Sequence, residues 1–272
     1  MSIRYKITFA YDGTRFYGFE KQPGLRTVEG TITDIVNTMA KNPQPPIKIY
    51  GSGRTDAGVH ALAQVAHFDF PFNIPVDGMW RGLNSMMPLD IEVKKVEKVP
   101  HTFHARYDVS GKIYMYRAYL GHFTNPFKRF YTGHWRIPVN VHKIQIALKD
   151  LIGTHDFTSF CASGSQVKNH VRIIYNATCH YDHQENELIF QFYGNGFLYN
   201  MVRIIVGVLL EIGSGRRPVH DILRLYKVKD RNQAVFTAPA SGLYLKKVIY
   251  KGEDPKHPTK FPKDTYNQDR QH

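Results

Sequence analysis

Twice along this chain the hydrophobic pattern runs strand, helix, strand, strand, helix, strand, and that order confines the fold more than any single motif. In the first half Tyr5, Ile7, Phe9 and Tyr11 alternate with Arg4, Lys6 and Thr8, the period of a half-buried strand. Thr27 is suited to cap a helix that carries Val28, Ile32, Ile35, Val36 and Met39 on one side. A short strand is predicted over 47–50, then one with Ala66, Phe68 and Phe70 on a face. A helix over 76–87 and a strand through Ile91, Val93 and Val96 complete the unit. The second half repeats the order: a strand over 113–120, a helical stripe of Ile144, Ala147, Leu148 and Leu151, and strands over 171–181 and 187–193. A helix over 197–212 follows, apolar nearly all round and therefore buried. A shorter helix over 219–227 and a strand over 243–250 close it. The halves share no visible sequence similarity. Their order is that of a ferredoxin-like unit, with an antiparallel sheet and helices on one face. The expectation is an α+β fold of two such halves, joined into one extended sheet with a central basic cleft. The divisions are 1–104, carrying the Gly51–Gly58 loop; 105–252; and an irregular basic tail over 253–272.

Lys and Arg number 36 against 23 Asp and Glu, a formal net charge of +13, which favours a polyanionic partner such as nucleic acid or an anionic membrane surface. The longest apolar segment, 201–212, carries Arg203 and is far short of the roughly 20 residues of a membrane span. Residues 1–10 alternate polar and apolar and do not resemble a signal peptide, so a cytoplasmic protein is expected. Cys161 and Cys179 are too few for a disulfide framework or a four-thiolate zinc site. His101 and His104 are three apart, but no H-x-x-x-H or C-x-x-C spacing accompanies them, so no metal is expected.

Chemistry concentrates in Gly51-Ser52-Gly53-Arg54-Thr55-Asp56-Ala57-Gly58-Val59-His60. Its glycines let the backbone turn sharply or approach a ligand closely. Arg54 and Asp56, two apart, can share one side of an extended segment. No Lys-Ser/Thr pair closes it and no G-x-G-x-x-G opens a helix, so it is not a phosphate-binding loop. On residue types alone, a glycine-rich turn with a local Asp hydrogen bond remains open.

Gly53 to Ala61, followed by Gln64, His67 and Phe68, resembles the signature of the TruA family of tRNA pseudouridine synthases. Further segments resemble that family in the same order: Tyr11-Asp12-Gly13 with Tyr17-Gly18, Phe103-His104-Ala105-Arg106 with Tyr114 and Tyr116, and Asp156 to Phe160. Gly196-Phe197-Leu198 with Met201-Val202-Arg203 and Val206-Gly207, then Gly242 to Leu245, complete the series. Phe19-Glu20 departs from the usual Trp-Gln, and Glu29 stands where Gln is common.

The resemblance implies isomerisation of uridine to pseudouridine in tRNA, in the anticodon stem-loop at positions 38–40, with no cofactor or metal. It makes Asp56 the catalytic carboxylate, whose attack at C1′, at C6 or through a glycal stays open, and Arg203 the cation that pairs with it. Arg54 would help displace or replace the flipped base, Tyr114 would stack on the uracil, and Leu243 would supply an apolar wall. Tyr116, on the same strand face, is assigned to core packing. Backbone contacts are expected from Arg15, Lys21, Arg26, Arg106, Lys168 and Arg172, with Phe103 and His104 as weaker RNA-binding candidates. The family is homodimeric, one tRNA touching both subunits. The alternatives are a non-catalytic RNA-binding module of the same fold, a synthase aimed at another RNA, and a metal-dependent nuclease, which needs more clustered carboxylates than one Asp.

Overall fold

A computed structural model describes residues 2–164 and 167–253. Ten strands form one sheet in the order β4-β1-β3-β10-β5-β9-β8-β7, with β2 beside β3 and β6 beside β5. The first half supplies β1 (Ile3–Tyr11), α1 (Val28–Met39), β2 (Tyr50–Gly51), β3 (His60–Phe70), α2 (Val76–Met86) and β4 (Ile91–Val99). The second supplies β5 (Val109–Tyr119), β6 (Gly133–His134), α3 (Val141–Lys149), β7 (Gly153–Asp156), β8 (Val171–Asp182), β9 (Glu187–Gly194), α4 (Met201–Gly213), α5 (Asp221–Val228) and β10 (Leu243–Tyr250). The α+β architecture and the extended, mostly antiparallel sheet are as the pattern predicts. The expected tail lies, beyond Glu253, outside the described residues.

The last strand is the joint. β10 runs antiparallel to β5, with Leu243 opposite Tyr116 and Leu245 opposite Tyr114. On its other edge it runs parallel to β3, with Tyr244 opposite His60 and Leu245 opposite Ala61. Alternation in β5 sends Tyr114, Tyr116 and Ala118 into the main core, while Ile113 packs with Tyr193 and Ile249 on the opposite face. In α4, Ile204, Ile205, Val208, Leu209 and Ile212 are all fully buried. Truncating one of them to Ala is expected to cost about 2–5 kcal/mol.

Two boundaries move for identifiable reasons. The segment 47–50 is a strand only at Tyr50, because the Asn37 side chain takes both backbone groups of Ile47. It accepts from the Ile47 N–H at 2.7 Å and donates to the Ile47 carbonyl at 3.0 Å. The apolar helix begins at Met201 rather than 197, because Asn200 adopts a left-handed conformation (φ 57°) that interrupts it. Phe197 is thereby left in the irregular segment ahead of the helix, where its ring meets Tyr114 edge-on with centroids 5.0 Å apart.

Candidate active site

The segment from Gly51 to Val59 joins β2 to β3 and is anchored on both sides of Asp56. Ahead of it, the Ser52 N–H donates to the Val65 carbonyl at 2.7 Å and the Ser52 hydroxyl to Gln64 Oε1 at 2.6 Å. Gln64 Nε2 donates in turn to the Gly53 carbonyl at 3.1 Å. Beside Asp56, the Thr55 carbonyl accepts from the Phe19 N–H at 3.0 Å, and the hydroxyls of Thr55 and Tyr11 meet at 2.7 Å. After it, the Gly13 backbone lies so close that a Cβ there would fall 2.0 Å from the Val59 carbonyl oxygen. These bonds fix the backbone that presents the Asp56 carboxylate.

Asp56 keeps 28% of its side chain accessible, and Arg203 of α4 faces it with Nη1 3.9 Å from Oδ2. Burial pushes the Asp56 carboxyl above the usual aspartate range, and the Arg203 cation pulls it partly back. Arg203 is itself oriented: Nε donates to the Ala238 carbonyl at 2.7 Å and Nη1 to Asn200 Oδ1 at 2.7 Å. Asn200 stands where a capping residue would, yet its oxygen serves the guanidinium rather than a backbone N–H.

Tyr114 is buried under the same site. Burial raises its phenol, and nearby Tyr11 and Asp56 raise it further. Its hydroxyl has no hydrogen-bond partner among the described residues. Tyr116, two residues on, is fully packed; its hydroxyl donates to the Pro239 carbonyl at 3.0 Å, and Gly133 and Gly242 press on its ring. Leu243 lies opposite Tyr116, two pairs along the ladder from Tyr114, and is buried.

Asp56, Arg203 and Tyr114 therefore converge, whereas Arg54 turns outward to Glu20 (Nη2 to Oε1, 2.5 Å). The other candidates divide. Arg15, Arg106 and Lys168 are exposed. Lys21 is exposed too, with Asp34 at 3.8 Å. The Arg26 guanidinium is held by both oxygens of Asp90 at 2.7 and 2.8 Å and lies over the Phe16 ring. Arg172 donates to the carbonyls of Asn169 and Val171. Phe103 packs against Tyr250 and His67, and His104 against His67 and Tyr107.

The sequence pattern assigns no role to Asn200, Gln64 or Lys112. Lys112 had a signal: it lies two residues before Tyr114 and therefore on the same strand face.

A family model described as tRNA pseudouridine synthase matches residues 7–108 and 147–251. A protein of Levilactobacillus brevis named tRNA pseudouridine synthase A is 69% identical over 259 residues, covering 95% of this chain and 98% of the relative. One of the same name from Ligilactobacillus salivarius is 59% identical over 256 residues, covering 94% of this chain and 100% of the relative. A solved Cbf5-Nop10-Gar1 complex aligns with a TM-score of 0.35 and 12% identity over 90% of this chain and 59% of that one, too remote a likeness to bear on the site. With near-full-length relatives at this identity, and a matched family model that takes in the loop of Asp56 and the helix of Arg203, this chain belongs to the tRNA pseudouridine synthase family.

Proposed function

We propose that this protein isomerises uridine to pseudouridine in tRNA, in the anticodon stem-loop at positions 38–40, with Asp56 as the reacting carboxylate. The observation that carries this reading is a half-enclosed carboxylate facing one guanidinium, above a tyrosine whose hydroxyl is unengaged. The reaction is internally balanced. The N1–C1′ bond of the nucleotide breaks, the uracil turns, and a C5–C1′ bond forms. The proton leaves C5 and N1 gains one, so no outside reactant is consumed. Asp56 acts in its ionised form, which the Arg203 cation favours against burial. The Tyr114 ring supplies an aromatic face for the flipped base, and its hydroxyl, which burial keeps protonated, relays the C5 proton, taking it on oxygen while passing its own to water. Leu243 closes the apolar side.

Exposed Arg15, Arg106 and Lys168 meet the RNA backbone and supply affinity rather than sequence selection. Arg54 joins them or enters the space of the flipped base once it leaves Glu20, since an exposed ion pair is worth about 0–1 kcal/mol. Arg26, Arg172 and Phe103 act as supports for the fold, because each is already engaged within the protein. A tRNA substrate puts the protein in the cytoplasm, and none of the described helices is long and apolar enough to cross a membrane. Two copies of the chain act together, a reading supported by the exposed rings of Phe123 and Phe127 between β5 and β6. Mapping pseudouridine in tRNA from cells with and without the protein tests the assignment. Loss confined to positions 38–40 is expected, and an unchanged anticodon arm overturns the choice of target.

A further inference from the structure

Lys112 reaches the glycine-rich loop from beneath. Its Nζ donates to the Ser52 carbonyl at 3.0 Å. Gly53, next along the loop, has no room for a side chain, since a Cβ there would fall 2.2 Å from that nitrogen. The Gly53 carbonyl is in turn held by Gln64. Two consecutive carbonyls shortly before Asp56 are thus fixed by side chains of β5 and β3, the two strands that flank β10.

Among the described residues nothing balances the charge of Lys112. No carboxylate pairs with it among the described residues. Gly194 of β9 and Val248 of β10 stand beside it, and neither titrates. The loop presents Ser52 and Gly53, and the charged group bearing on it is Arg106, of the same sign. A largely enclosed cation without a counterion subtracts from stability.

We propose that Lys112 is a positioning residue for the isomerisation, acting through the Ser52 carbonyl to hold the loop so that Asp56 faces Arg203 and the substrate. The proposal rests on the reading of Asp56 as the reacting carboxylate. Displacing a reacting group by about 1 Å can cost roughly 10²-fold in rate, which is the scale on which such a tether matters. Burial, reinforced by Arg106, brings the ammonium down to about 8 from 10.5. Its folded value lies below its unfolded one, so the charged form costs stability below about pH 8, and that cost fades as pH rises toward the unfolded value.

The test compares Lys112→Met and Lys112→Arg in the full chain. It uses single-turnover rates at saturating enzyme, tRNA binding at several salt concentrations, and melting temperature. Lys112→Met is expected to slow the reaction by roughly 10- to 100-fold, with tRNA affinity and its salt dependence unchanged and the melting temperature equal or higher. The unsubstituted protein is expected to lose part of its rate above about pH 8, where the nitrogen gives up its charge and its hydrogen bond to the Ser52 carbonyl weakens; that limb is expected to be absent from Lys112→Met. Lys112→Arg keeps a donor and a charge, recovers most of the rate and stays active at higher pH. A Lys112→Met rate close to that of the parent overturns the proposal. So does a rate loss that tracks a lower melting temperature and that Arg fails to rescue. Weaker binding with a salt slope smaller by about 0.7–0.9 would make Lys112 a phosphate contact instead. Asp56→Asn, assayed alongside, separates the two readings: activity in that variant defeats the site assignment whatever Lys112 does.

Discussion

Tyr114 and Tyr116 project from one face of β5, but only Tyr116 has its hydroxyl engaged, by the Pro239 carbonyl at 3.0 Å; no described group pairs with that of Tyr114. One ring is a piece of core and the other has a polar atom free for a substrate.

Tyr114→Phe is expected to keep the fold and the stacking face but slow turnover by roughly 10²-fold or more, the scale of losing an acid–base group. Tyr116→Phe leaves turnover nearly unchanged and lowers the melting temperature, since it strands a buried carbonyl at a cost of about 1–3 kcal/mol. Single-turnover rates and thermal melts check both. Equal rate losses would mean that both hydroxyls, or neither, serve the reaction.

Arg203 lowers the pKa of Asp56 against the larger upward push of burial. Arg203→Met removes that opposition, so the Asp56 pKa rises further. The reaction needs the carboxylate, so the acid limb of the rate profile moves to higher pH and part of the lost rate returns on the alkaline side. A uniformly lower rate with the limb in place would show that Arg203 orients the site without setting its ionisation.

The raised pKa of Asp56 also has a consequence for stability. A folded pKa above the unfolded one means that protonation favours the folded state. The contribution is complete below the unfolded value and is lost as pH rises through the folded one. At neutral pH the ionised Asp56 is therefore a liability to the fold, and Asp56→Asn is expected to melt at the same temperature as the parent or higher. A clear drop in melting temperature would mean that the carboxylate is a structural anchor.

Glu20 holds Arg54 in an exposed ion pair at 2.5 Å. Glu20→Gln frees the guanidinium and removes a negative charge from the face offered to RNA. Binding of tRNA is expected to tighten by about two- to fivefold at low salt, the yield of an exposed pair worth up to about 1 kcal/mol. The gain should shrink as salt rises. Weaker binding would show that Glu20 itself contacts the RNA or orders the loop.

Much of this was legible in the residues. Element order follows from two periodicities, and the burial of α4 from its uniform apolarity. The joining of the halves was not: β10 meets β3 through only two parallel residue pairs, and no local pattern announces so short a pairing. The late start of α4 depends on one left-handed Asn200, and the loss of strand at 47–49 on one side chain, Asn37. Arg26 and Asp90 find each other only in three dimensions, so a sequence cannot distinguish a structural arginine from a free one. Lys112 was visible by strand period, yet a lysine in a strand ordinarily reads as a solvent-facing residue.

The most direct measurement is tritium release from C5-labelled uridine in tRNA by Asp56→Asn, with a binding titration on the same preparation. Affinity comes from many phosphate contacts and chemistry from one carboxylate. The expected result is release at background while tRNA affinity stays within about tenfold of the parent. Release near the parental rate from a variant that still binds tRNA would contradict the assignment of the reaction to Asp56.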